Sequence, residues 1–314
     1  MKAEVAVLRD AASGAEAHVL VSQGFNLFRW TAMPEGKPLE VLYAPAEFET
    51  GQLRPSKGGI PLLFPFPGRI AGTTFTWEGK QHELEPGDAF GNAIHGFVMW
   101  RPWRVIEKTE NKIVGQFQAS CDDPSLKARW PADFRITATY SLSGNALSAE
   151  YLMENPGETP LPCGFGSHPY FRVPLGGVDA AGCVVTLPVE AKWELVEMLP
   201  TGKKLKLAEA VDYQSGKAFG GLHLDDVFSD LTFHDGWTTT TISDPQSGRS
   251  IVQRFNDLFR ECVVFTPPHR EAICIEPYTC VPGGFGLGAR GIDAGMRVLQ
   301  PGESFMGRVE IVVQ

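Results

Sequence analysis

Three short stretches of this chain set a titratable side chain among glycines, prolines and aromatics. In Gly164-Phe165-Gly166-Ser167-His168-Pro169-Tyr170-Phe171, three aromatics and two glycines crowd around His168. Glycine lets backbone approach a ligand closely, and aromatic faces suit the C–H surfaces of a sugar ring. His95 lies in Gly91-Asn92-Ala93-Ile94-His95-Gly96-Phe97, a loop flanked by Trp100 and Trp103. Glu276 follows the apolar run Ala272 to Ile275 and precedes Pro277. A carboxylate ending a buried strand opposite a Gly/Pro-rich loop is expected to have its pKa raised by desolvation, as a general base working near neutral pH requires. The competing reading of Glu276 is an ion pair with Arg69 or Arg290.

Two further positions are ambiguous on the residues alone. Asp225 and Asp226 are adjacent, and adjacent acids usually cap turns. Arg69, in Pro65-Phe66-Pro67-Gly68-Arg69-Ile70, suits either an ion pair at the edge of the core or a hydrogen bond to a ligand. The other five of the seven histidines read as structural or solvent-facing.

The elements that must position these groups read as strands. Phe134, Ile136, Ala138, Tyr140 and Leu142 share one face of a period-two run, and Ser143-Gly144-Asn145 turns it into Ala146 to Met153. Hairpins are also expected over Thr73 to Leu84, around Glu78-Gly79-Lys80, and over Trp103 to Ala119, around Glu110-Asn111. Further strand-like runs are Val5 to Leu8, His18 to Ser22, Leu39 to Tyr43, Val184 to Val189, Thr238 to Ile242, Glu261 to Phe265 and Phe305 to Val313. Helical periodicity is scarce, with short candidates at Pro45 to Glu49 and Lys203 to Val211. No fixed-period repeat and no flexible linker interrupts the pattern, which favours one large antiparallel all-β domain over residues 1–314, with packed sheets burying their inner faces.

Composition bounds the function. The 314 residues carry 28 Lys+Arg against 37 Asp+Glu, a net charge of -9, which argues against a nucleic-acid binder. With 43% hydrophobic and 21% charged residues the chain can bury a core. The 34 glycines and 24 prolines imply many turns between short elements. Nowhere do 18 uninterrupted apolar residues occur, and Met1 to Asp10 holds no signal-peptide core, so a soluble cytoplasmic protein that does not engage membranes is expected. The six cysteines show no C-x-x-C pair and no zinc-like spacing with histidine, and read as free thiols.

Taken in order, these segments resemble the aldose 1-epimerase (galactose mutarotase-like) family. The match runs through Gly58-Gly59-Ile60-Pro61, Pro65 to Ile70, Gly91 to Phe97 with Arg101-Pro102-Trp103, Ser167 to Phe171, Leu199-Pro200-Thr201-Gly202, Leu224 to Phe228, Glu276-Pro277-Tyr278-Thr279 and Leu299 to Glu303. Each piece is weak alone, but the ordered set covers nearly the whole chain. The resemblance implies a large antiparallel β-sandwich, the galactose mutarotase-like supersandwich, whose cleft interconverts the α and β anomers of a free sugar. It implies that Glu276 is the general base at the C1 hydroxyl, His168 the general acid at the ring oxygen, and His95 a second active-site histidine. It also implies that Arg69 and Asp225 bind substrate. No metal or organic cofactor is implied; the expected partner is a small sugar, and the expected assembly a monomer or homodimer.

The sequence departs from the family at Gly68, where many relatives carry Asn, and at Gly283-Gly284. The divergent stretch Lys203 to Gly221 is expected to shape one wall of the cleft. Two alternatives stand beside a free-aldose epimerase: a hexose-6-phosphate mutarotase, for which Arg69, Arg101 and Arg290 are the candidate phosphate ligands, and a non-catalytic carbohydrate-binding protein. Retention of both a candidate acid and a candidate base weighs against the second. A glycosidase would need a second carboxylate, and only Asp225 offers one.

Overall fold

A computed structural model describes residues 3–314. The architecture is β throughout, with short helical turns between strands. A nine-stranded antiparallel sheet takes the strands Arg104–Lys108, Lys112–Gln118, Arg135–Ser143, Ala146–Glu154, Ser304–Val313, Arg249–Asn256, Trp237–Asp244, Val184–Thr186 and Lys217–Ala218 in that order. An eight-stranded sheet runs Leu199–Lys206, Val189–Val196, Asp225–Leu231, Glu261–Phe265, Ala272–Tyr278, Gly166–Ser167 and Leu62–Leu63, with Tyr170–Arg172 also pairing Ala272–Tyr278. A four-stranded sheet, Val5–Arg9 to Leu39–Glu40, joins through the bridge between Leu42 and Phe171.

The inner faces of the two large sheets meet in one core. Along Arg135–Ser143 burial alternates, with Ile136, Ala138, Tyr140 and Leu142 inside and Arg135, Thr137 and Thr139 partly exposed, as a half-buried strand requires. Across the layers Phe64 meets Phe134 edge-on at 5.3 Å, and Tyr151 packs on Phe165 at 4.8 Å. Rings in this tilted or edge-on geometry add about 0.5–1.5 kcal/mol each beyond their buried area.

The strand Ala272–Tyr278 is buried along its whole length. Ile273 and Ile275 face the core, while Cys274, Glu276 and Tyr278 occupy the opposite face of the same strand, and that face is covered too. A strand covered on both sides reads as a continuous apolar run with no alternation. The register brings Val227, Val263 and Glu276 into one row across three strands, and Asp225, Phe265 and Cys274 into the next. On the other side of the Glu276 row, Glu261 stands opposite Tyr278.

The expected hairpins are present as Thr74–Trp77 with Lys80–Glu83, Arg104–Lys108 with Lys112–Gln118, and Arg135–Ser143 with Ala146–Glu154. The two helical expectations are corrected. Pro45 to Glu49 yields only a 3-10 turn at Phe48–Thr50, and Lys203 to Val211 begins as the end of a strand, Leu199–Lys206, and reaches only the first residues of a short helix at Ala210–Ser215. Pairing with Val189–Val196 overrides the weak helical pattern there. All six cysteines are free thiols, Cys121 exposed and the rest buried.

Candidate active site

The outer face of the eight-stranded sheet floors a cleft of about 400 Å³, within the range of small-molecule sites. Arg69, His95, His168, Asp225 and Glu276 all line it, although they come from segments spread over most of the chain.

His168 is fixed from its backbone outward. Its N–H donates to the Pro61 carbonyl at 3.0 Å and that of Tyr170 to Gly59 at 2.9 Å, so the Gly-Gly-Ile-Pro stretch is the frame on which the histidine segment lies. The Tyr170 ring stacks flat on the imidazole at 4.9 Å, and its hydroxyl donates to the Ser56 carbonyl at 2.7 Å. Behind it, the Phe165 N–H donates to Thr279 Oγ1 at 2.8 Å and the Thr279 N–H to the Phe165 carbonyl at 2.9 Å, which ties this segment to the one bearing Glu276.

These frames bring His168 Nε2 to 3.2 Å from Glu276 Oε1, with the two side chains only 7% and 2% exposed. Burial pushes the Glu276 carboxyl well up, and the charge of Asp225 adds to this; the Tyr278 hydroxyl and Arg69 pull the other way. Burial also lowers His168, to about 3. Desolvation thus favours the uncharged form of each, and the pair rests with one proton between them. Glu276 Oε2 and His168 Nδ1 are buried without a hydrogen-bond partner.

Arg69 and His95 are placed by a two-residue ladder in which Arg69 pairs with Ile94. The His95 N–H donates to the Gly68 carbonyl at 2.8 Å, and His95 adopts a φ of 67°, uncommon for a residue with a side chain. Gly96 follows at φ 64°, where a Cβ would lie 2.2 Å from the Phe64 carbonyl oxygen, so this close crossing admits only glycine. The His95 ring meets His168 edge-on at 5.7 Å. Burial first, then His168, Arg69 and Arg54, hold its pKa well below the usual value, so His95 is a neutral imidazole. Asp225 is open to water on its cleft side and surrounded by protein elsewhere; desolvation raises its carboxyl against the pull of Arg69.

The structure decides several alternatives left open above. Glu276 pairs with His168 and not with an arginine. Arg69 Nε instead donates to Asp88 Oδ2 at 2.8 Å, and Arg290 Nη2 donates to the Thr201 carbonyl. Asp226 is held by Lys192 at 2.8 Å, leaving Asp225 to the cleft. Glu276 lies within its strand and not at its end. The stretch Lys203 to Gly221 does not line the cleft: Leu195 and Met198, around the turn that precedes it, supply that wall. Of the three arginines considered for phosphate, only Arg69 reaches the cleft.

Sequence reasoning missed Asp88, Arg54 and the wall formed by Tyr43 stacked on His269 at 4.4 Å. A local signal existed for Asp88 alone. It sits in Pro86-Gly87-Asp88 and accepts from the Phe90 and Asn92 N–H groups at 2.9 and 2.8 Å, an Asx-type turn.

The molecule is thus an antiparallel β-sandwich with an acid–base pair sunk in an open cleft. The family model described as aldose 1-epimerase matches residues 10–312, and the chain belongs to that family. Among curated proteins it is 26% identical over 230 residues to the uncharacterized Escherichia coli (strain K12) protein YihR, covering 72% of this chain and 71% of that one. It is 27% identical over 170 residues to the galactose mutarotase of Rattus norvegicus, covering 54% and 48%. The fold is shared with a galactose mutarotase-like protein from Clostridium acetobutylicum, at TM-score 0.86 and 24% identity over 100% of this chain and 99% of that one. A galactose mutarotase/aldose epimerase homologue from C. elegans gives TM-score 0.81 at 19% identity, over 99% of each chain. No helix among the described residues is long and apolar enough to cross a membrane.

Proposed function

We propose that the protein is an aldose 1-epimerase, an isomerase acting on a free sugar, and that residues 1–314 work as one unit. The observation that carries this reading is the contact of 3.2 Å between His168 Nε2 and Glu276 Oε1 on the cleft floor. Anomer exchange needs one acid and one base at the two oxygens of a hemiacetal carbon, and these oxygens hang from a single atom. Two adjacent groups sharing one proton meet that need.

At rest the shared proton sits on Glu276, and in the closed-ring complex it passes across the 3.2 Å contact to His168, leaving a carboxylate beside an imidazolium. The Glu276 carboxylate takes the proton of the C1 hydroxyl, and the freed electron pair forms the C1 carbonyl. The C1 to ring-oxygen bond breaks, and the ring oxygen takes the proton of the His168 imidazolium. After rotation about C1–C2, the same transfers run backwards on the other face. The proton has then crossed from His168 to Glu276 and back, so the pair resets within each turnover. Neutral His95 offers hydrogen bonds to sugar oxygens without competing for the proton, Arg69 and Asp225 hold hydroxyls, and the Tyr43–His269 wall faces the C–H surface.

A second reading, a hexose bearing an anionic substituent, is favoured by Arg54 and Lys57, which line the same cleft and have no carboxylate partner among the described residues. Polarimetric relaxation of fresh α-anomers tests both. Accelerated relaxation of glucose or galactose supports the first reading, a strong preference for glucose 6-phosphate the second, and an unchanged rate with every sugar would leave only a carbohydrate-binding role.

A further inference from the structure

Beneath the catalytic pair lies a third group that the proton chemistry does not use. Cys274 precedes Glu276 by two residues on the same strand, so both side chains leave its outer face. Tyr170 pairs with Cys274 in register, and the His168 ring lies against Tyr170. As a result one donor atom each of His168, Cys274 and Glu276 fall within 4.8 Å of one another, and all three residues are buried.

An imidazole nitrogen, a thiol sulfur and a carboxylate oxygen form a ligand set that suits zinc. Zinc takes nitrogen and oxygen at about 2.0–2.2 Å and sulfur at about 2.3 Å in a tetrahedron, so its ligand atoms stand closer together than this cluster does by roughly an ångström. Small side-chain rotations close that gap, and Glu276 Oε2 is free to turn inward because it has no partner. His168 and Glu276 line the cleft, which gives an ion its entry path and leaves the fourth position open to water or a sugar hydroxyl.

We infer that His168, Cys274 and Glu276 form a zinc-binding trap that switches the catalytic pair off. The bound ion occupies the lone pairs of the acid and the base, and the Cys274 thiol proton leaves to solvent as the thiolate binds. Inhibition rests on the epimerase reading; binding does not.

The test uses full-length protein with the exposed Cys121 changed to Ser, so that no surface thiol competes. Cobalt(II) titrated into this protein should give one equivalent of a near-ultraviolet thiolate-to-metal band, displaced by zinc and absent in Cys274→Ala and Cys274→Ser. Zinc should stop anomer relaxation and a chelator should restore it. Cys274→Ala should relax sugar at the normal rate without metal, and should need about tenfold or more zinc for half-inhibition, the scale of a weakened metal site. Absence of the band, or a band and an inhibition unchanged in both Cys274 variants, overturns the inference. If no sugar is turned over at all, the cobalt band still decides the binding claim.

Discussion

Asp88 holds Arg69 in place: its Oδ2 accepts from Arg69 Nε at 2.8 Å while its Oδ1 takes the N–H groups of Phe90 and Asn92. One carboxylate therefore shapes the Gly87 to Asn92 loop and aims a cleft-facing guanidinium. Asp88→Ala should free the arginine and remove the turn-capping acceptor of the Phe90 and Asn92 N–H groups, raising KM for sugar by roughly tenfold with little change in kcat, and lowering stability by about 1 kcal/mol. Steady-state kinetics with urea unfolding would measure both, and a loss confined to kcat would contradict the assignment.

Glu276→Gln and His168→Ala should each reduce turnover by about 10²-fold or more without unfolding the protein. Because the two share one proton, the double variant should be hardly slower than either single one. Full additivity in polarimetric rates would mean that they act separately.

Gly68 sits at φ 64°, and a Cβ there would come within 2.6 Å of the Pro282 ring. Asn tolerates this backbone region, so the obstacle in this chain is the proline. Gly68→Asn should cost about 1–3 kcal/mol through overpacking. Adding Pro282→Gly should recover part of that loss in thermal melts, and no recovery would place the strain elsewhere.

Glu261 lies 2% exposed on the same sheet face as Glu276, beyond the edge of the cleft, where Trp193 Nε1 donates to its Oε2 at 3.1 Å. Burial raises its pKa from 4.5 to about 7, while the Ser229 hydroxyl and Trp193 pull the other way. The folded carboxyl keeps its proton up to about pH 7, whereas the unfolded one loses it near 4.5. Stability therefore falls as pH rises between these values, by about 3 kcal/mol, and through this group does not change with pH below or above them. Glu261→Gln should flatten that fall; parallel stability curves from pH 4 to 8 would rule it out.

Strands with one wet face were legible by alternation, as in Ile136 to Leu142, where water touches the other side. The doubly covered strands Ala272–Tyr278 and Glu261–Phe265 were legible only as apolar runs, which show a strand but not its bounds. The strand Leu199–Lys206 was hidden because its partner, not its own pattern, makes it a strand. The site divides in the same way. His168, His95 and Glu276 announce themselves through glycines and aromatics packed beside them in sequence, and Arg69 and Asp225 needed the family resemblance. Cys274, Arg54 and the Tyr43–His269 stack become neighbours of the site only through pairing between distant strands, which no local spacing encodes.

The central strand Ala272–Tyr278, sheathed on both faces and paired along both edges, should be among the last parts of the molecule to exchange its amide protons. The two-residue ladder that carries Arg69 and Ile94 has few bonds to break and should exchange early. The cleft thus joins an anvil to a lighter part: Glu276 is anchored to the slowest-opening element, and Arg69 rides on one of the fastest, so on the proposed reading the floor stays fixed while one wall can adjust to a ligand.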